Sequence, residues 1–147
     1  MTHMTGPDRA PRAILFDWDN TLVDSWGVIH EALNATFEEY GVPPWTFEEF
    51  SRKLGPSVRD SFPALFGADW QAAGDFFHAT FERVHLDRLT VIPGGETLVR
   101  DLAAAGVYLG VVSNKTGRYL RAEIAHLGWD SRFSGIVGAL DADRDKP

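Results

Sequence analysis

The chain has 147 residues, of which 44% are apolar, 24% charged and 12% aromatic, enough to build a packed core rather than a disordered coil. Lys and Arg number 14 against 21 Asp and Glu, a formal net charge of −7. That field repels polyanions and no basic cluster reverses it, so nucleic-acid binding is not expected. Cysteine is absent, which excludes a disulfide framework, thiolate metal sites and cysteine nucleophiles. The longest apolar run, Val107 to Val112, is too short to cross a bilayer. Met1 to Arg12 is polar and lacks the apolar stretch of a secretory signal. A cytoplasmic protein without membrane contacts is expected.

After a tail over residues 1–12, Ala13-Ile14-Leu15-Phe16 reads as a short strand buried on both faces, as in a parallel sheet. It stops at the turn-forming run Asp17-Trp18-Asp19-Asn20-Thr21. Trp26, Ile29, Leu33, Phe37 and Tyr40 then recur at spacings of three and four, an amphipathic helix closed by Gly41 and two prolines. Thr46 with Glu49, and Ser57 with Asp60, are spaced as capping boxes at two further helix starts. Trp70, Ala73, Phe77, Phe81 and Val84 form another helical stripe. Residues 24–90 therefore read as wholly helical.

At Pro93 the pattern changes. Gly94 to Ala105 is a predicted helix, Val107 to Val112 a strand, Thr116 to Leu127 a helix and Gly135 to Leu140 a weaker strand. The order predicts an α/β fold, a Rossmann-like parallel sheet with an all-helical insertion after its first strand. Residues 13–23 and 91–147 would form the core and residues 24–90 a cap. In such sheets ligands bind beyond the carboxyl ends of the strands, where Asp17, Asp19, Ser113 and Asn114 should converge.

Asp17 and Asp19 are two carboxylates on one loop. They suit a nucleophile or metal ligand paired with a general acid and base, and equally two turn-capping residues. Ser113 and Asn114 precede a helix, where they could bind phosphate or simply cap that helix. Lys146 beyond the last strand could neutralise phosphoryl charge, although a single lysine is ordinarily just solvated.

Taken together, Phe16-Asp17-Trp18-Asp19-Asn20-Thr21-Leu22, Val112-Ser113-Asn114-Lys115 and Asp145-Lys146-Pro147 resemble three successive motifs of the haloacid dehalogenase superfamily. Leu22-Val23-Asp24-Ser25 and the helical insertion resemble its phosphoglycolate phosphatase and β-phosphoglucomutase subgroup. The resemblance covers nearly all of the chain after the tail. It implies a phosphatase acting on a small phosphorylated metabolite, with phosphoglycolate the nearest guess. Asp17 would attack phosphorus and form an aspartyl phosphate, and Asp19 would serve as general acid and then base. An Asp at position 19 points to phosphate rather than carbon–halogen chemistry. The family likeness also implies Mg²⁺ held by the Asp17 carboxylate and the Asp19 carbonyl, Ser113 and Asn114 at the phosphoryl group, Lys146 offsetting its charge and Thr21 supporting the loop.

The implied cap would close over the sheet and exclude water. Within Gly55-Pro56-Ser57-Val58-Arg59, the resemblance places Arg59 over the non-reacting end of the substrate. By spacing alone Arg59 is equally an exposed residue in a first helical turn. The histidines show no metal-ligand spacing; His78 and His85, seven apart, are expected to pack on a helix face. The family's fourth motif, a Gly-Asp with a further acid, does not follow Lys146. Its absence predicts weakened metal binding and an exposed apolar strand edge. The competing expectations are a catalytically inactive phosphate-binding fragment and a phosphomutase. A phospho-accepting receiver domain is disfavoured by the long insertion between Leu22 and Ile92.

Overall fold

The structure, a computed structural model, describes residues 10–147. The first nine positions of the expected tail lie outside the described residues. Strands β1 (Ala13–Phe16), β4 (Tyr108–Thr116) and β5 (Gly135–Ala139) form a parallel sheet in the order β1-β4-β5. The central strand is apolar where it is covered on both faces, with Leu109 and Val111 fully buried. Helix α5 (Gly95–Ala104) leads into β4, and α6 (Gly117–His126) carries the chain from β4 to β5. Among the described residues β1 lies at a sheet edge, with Leu15 67% exposed.

Strand β4 runs four residues beyond the apolar run that predicts it. The ladder to β5 breaks register between Val112 and Thr116, then re-forms at Thr116 and Ala139. Polar Ser113, Asn114 and Lys115 thus stay in extended backbone at the carboxyl end of the sheet. Close packing there requires glycine. A Cβ on Gly138 would stand 2.5 Å from the Gly117 Cα, so β5 could not lie against the start of α6 with a larger residue.

Four helices lie between β1 and α5: α1 (Trp26–Glu39), α2 (Phe47–Lys53), α3 (Val58–Phe66) and α4 (Trp70–Val84). Their apolar stripes meet in a cluster of Leu33, Phe37, Phe50, Phe62, Phe77 and Phe81. A second cluster, of Trp18, Leu22, Val99, Leu109, Leu120, Ile124 and Trp129, binds the sheet to α5 and α6. Tyr119 on α6 belongs to the first cluster, and its hydroxyl donates to the His78 carbonyl.

Where the chain leaves the sheet for the helices and returns, β2 (Val23–Asp24) pairs antiparallel with β3 (Thr90–Val91). These strands correct the expectation that residues 24–90 are wholly helical. Two-residue strands are too short for alternation to show in sequence. The Thr46 capping box is complete: its hydroxyl accepts from the Glu49 N–H at 3.2 Å, and the Glu49 carboxylate accepts from the Thr46 N–H at 3.0 Å. Thr46→Ala is expected to lower stability by about 1 kcal/mol, read from urea denaturation; an unchanged midpoint would count against a stabilising box.

Candidate active site

The loop after β1 is shaped by Asn20, whose φ of +57° is one that asparagine tolerates better than most side chains. Its side-chain oxygen accepts from the Ser25 N–H, and the Leu22 N–H returns to the Trp18 carbonyl. Trp18 is fully buried and anchors the loop in the core. Asp17 and Asp19, on either side of it, line a cavity of about 540 Å³.

Asp17 is 44% exposed, and its Oδ1 takes the Lys146 ammonium at 2.8 Å and the Trp18 N–H at 2.8 Å. Lys146 Nζ also donates to the Val112 carbonyl at 3.0 Å. The lysine is held by Asn114, whose Oδ1 accepts from the Lys146 N–H and whose Nδ2 donates to the Lys146 carbonyl, both at 2.8 Å. Asn114, expected at the phosphoryl group, here contacts the lysine segment. Both ends of its amide hold the lysine segment, and the residue also lines the cavity.

Asp19 accepts from the Ser25 hydroxyl and pairs with Lys115 Nζ at 2.6 Å. Lys115 reaches Glu123 on α6 at 2.7 Å. Glu123 is 1% exposed and also accepts from Trp18 Nε1 at 2.6 Å and His85 Nδ1 at 2.8 Å. Burial pushes the Glu123 carboxyl pKa up, but the His85, Lys115 and Trp18 interactions outweigh it and leave the pKa lowered. A buried network therefore joins the Asp19 loop to the core helix α6 and to the end of α4.

Sequence reasoning missed Lys115, Glu123 and His85 as parts of this network. One signal was present. Glu123 lies between Leu120 and Ile124 on the buried stripe of α6, and a carboxylate there requires partners.

Ser113, 5% exposed, lines the cavity, and its hydroxyl accepts from the Lys115 N–H at 3.1 Å. Thr21 is exposed and off the cavity wall, with its N–H donating to the Trp18 carbonyl. That bond helps to close the turn after β1. Arg59, at the first turn of α3, lines the cavity but forms a bidentate ion pair with Asp145, next to Lys146. The guanidinium draws the Asp145 carboxyl below its ordinary pKa, and Asp145 in turn raises that of Arg59.

Among the described residues both contacts to Asp17 fall on Oδ1, which leaves Oδ2 for a further ligand. Mg²⁺ takes oxygen ligands and is commonly held by one or two carboxylates, with substrate phosphate and water completing the shell. The oxygen donors of this loop fit that habit. No group of three or more His, Asp or Glu able to hold a metal occurs among the described residues. No described helix is long and apolar enough to cross a membrane.

A carboxylate loop, a hydroxyl and a lysine thus stand together at the carboxyl ends of the strands of a parallel sheet. The model of the haloacid dehalogenase-like hydrolases matches residues 14–147, and the chain belongs to that family. It is 29% identical over 143 residues to a phosphoglycolate phosphatase of Xanthomonas campestris, covering 95% of this chain and 65% of that protein. It is 27% identical over 139 residues to a bifunctional riboflavin kinase/FMN phosphatase of Arabidopsis thaliana, covering 91% of this chain and 36% of that protein. A haloacid dehalogenase-like family hydrolase from Streptococcus pneumoniae superposes with a TM-score of 0.78 at 26% identity, covering 89% of this chain and 62% of that one. The chain thus spans less than two thirds of the length of these relatives.

Proposed function

We propose that the chain carries the catalytic loop of a Mg²⁺-dependent phosphatase acting on a phosphomonoester of a small metabolite. The observation that carries this reading is the placement of Asp17 against Lys146, with Asp19 held by Lys115 and Ser25, at one cavity. An Asp17 carboxylate oxygen attacks phosphorus as the ester P–O bond breaks, and Asp19 gives a proton from Oδ2, the oxygen that Lys115 and Ser25 do not engage, to the departing oxygen. Asp19 then removes a proton from water as the water oxygen attacks phosphorus. The bond to Asp17 breaks and inorganic phosphate leaves.

Lys146 lowers the cost of bringing an anionic phosphoryl group to a carboxylate, and Ser113 stands on the same wall. Mg²⁺, when bound through Asp17 and the Asp19 carbonyl, would further offset phosphoryl charge. Relatives are named for phosphoglycolate and for FMN, and phosphomonoester hydrolysis is the chemistry common to these names.

Phosphate release from 4-nitrophenyl phosphate by the full chain with Mg²⁺ tests this reading. Chelation of the metal is expected to reduce release at least about 100-fold, with restoration when Mg²⁺ is returned. A folded chain that binds inorganic phosphate yet never turns over the ester would instead favour an inactive phosphate-binding module.

A further inference from the structure

The cavity is large, yet among the described residues its walls offer no Lys or Arg without a carboxylate partner. Among the described residues three Lys or Arg side chains line it, Arg59, Lys115 and Lys146, against four carboxylates, Asp17, Asp19, Asp75 and Asp145. Lys146 is committed to Asp17, at the expected phosphoryl position. Lys115 is 5% exposed and bridges Asp19 and Glu123. Arg59 is gripped on two nitrogens by Asp145, whose side chain is 4% exposed. His78 also lines the cavity, and burial, followed by the charge of Arg118, lowers its pKa and favours the neutral ring. The remaining wall is dominated by apolar side chains, among them Leu33, Leu54, Leu65, Trp70 and Phe77.

We propose that the substrate carries no second anionic group and that its non-reacting end is an uncharged apolar or aromatic body, with Asp145 setting this preference by occupying Arg59. The inference rests on the phosphatase reading of the site and deepens it. A second anion seeking the paired Nε and Nη2 donors of Arg59 must displace Asp145, whose side chain is largely buried. An apolar body meets no such cost and removes the Leu and aromatic walls from water. Asp145 is therefore a specificity-determining residue, and Arg59 is withheld from the ligand rather than offered to it.

Calorimetric titration of the full chain with non-hydrolysable phosphonates, in the presence of Mg²⁺, tests the assignment. Benzylphosphonate is expected to bind at least about tenfold more tightly than phosphonoacetate, which carries a carboxylate at its far end. Asp145→Asn should free Arg59, tighten phosphonoacetate about tenfold and leave benzylphosphonate within about twofold. Adding Arg59→Ala to that variant should remove the gain. A chain that binds inorganic phosphate but prefers phosphonoacetate overturns the inference and leaves the phosphatase reading standing. So does an Asp145→Asn chain that folds and shows no change in preference. Failure to bind either phosphonate or inorganic phosphate defeats the phosphate-site reading and this inference with it. Should Asp145→Asn not fold, the ratio measured on the unaltered chain decides.

Discussion

Asp17→Asn is expected to reduce phosphate release by at least about 10⁴-fold, as removal of a covalent nucleophile does elsewhere. An amide nitrogen or oxygen cannot form the acyl phosphate on which the proposed sequence depends. Folding should survive the change. Asp17 and Lys146 are 44% and 34% exposed, and an exposed ion pair contributes only about 0–1 kcal/mol. The measurement is a pair of assays on the same preparation, phosphate release and thermal melting. Acid quenching of the unaltered enzyme during turnover should also trap a phosphorylated chain, and the variant should trap none. Turnover in the variant within about tenfold of the parent would remove Asp17 from the nucleophile's role.

The largest effect on stability is expected at Glu123. Glu123→Leu leaves a buried ammonium, an indole N–H and an imidazole without their common acceptor. Breaking a buried pair from one side costs about 3–5 kcal/mol, which corresponds to a fall in melting temperature of roughly 10 °C for a chain of this size. The unaltered protein should show a matching acid sensitivity. The folded-state pKa of Glu123 lies below its ordinary value of 4.5. Its contribution is therefore fully present above that value and is lost as the pH falls through the lowered folded pKa. Melting temperatures measured across this acid range should converge for parent and Glu123→Leu. Parallel curves would show that the carboxylate contributes nothing through its charge.

Glu123 also shows where reading the chain in one dimension reached its limit. The helical stripe of α6 is plain in Leu120 and Ile124, and a carboxylate on that stripe signals a paired charge. Nothing local says which charge. Trp18 lies 105 positions away and His85 38 positions away, and several other side chains were equal candidates. The same holds for Asn114. As the residue after a strand's apolar run it is as good a phosphate ligand as any amide. Only the return of the chain 32 positions later puts the Lys146 backbone against both ends of that amide.

Arg59 is the sharpest case. Its place in the first turn of α3 follows from Ser57, whose hydroxyl accepts from the Asp60 N–H, and that much is local chemistry. Its partner, Asp145, is 86 positions away. Among the acids 141, 143 and 145, the one nearest Lys146 takes the guanidinium, while Asp141 pairs with Arg121.

By itself, the sequence determined the order and type of the long elements, the placement of the Asp17–Asp19 loop after the first strand, and the motifs that identify the family. Those features rest on hydrophobic periodicity, capping and turn chemistry, which act among residues a few positions apart. The tertiary structure decided which charges meet. It committed Asn114 to the lysine segment, Lys115 to a buried network and Arg59 to Asp145, because ion pairing acts through space and packing alone brings distant segments within its reach.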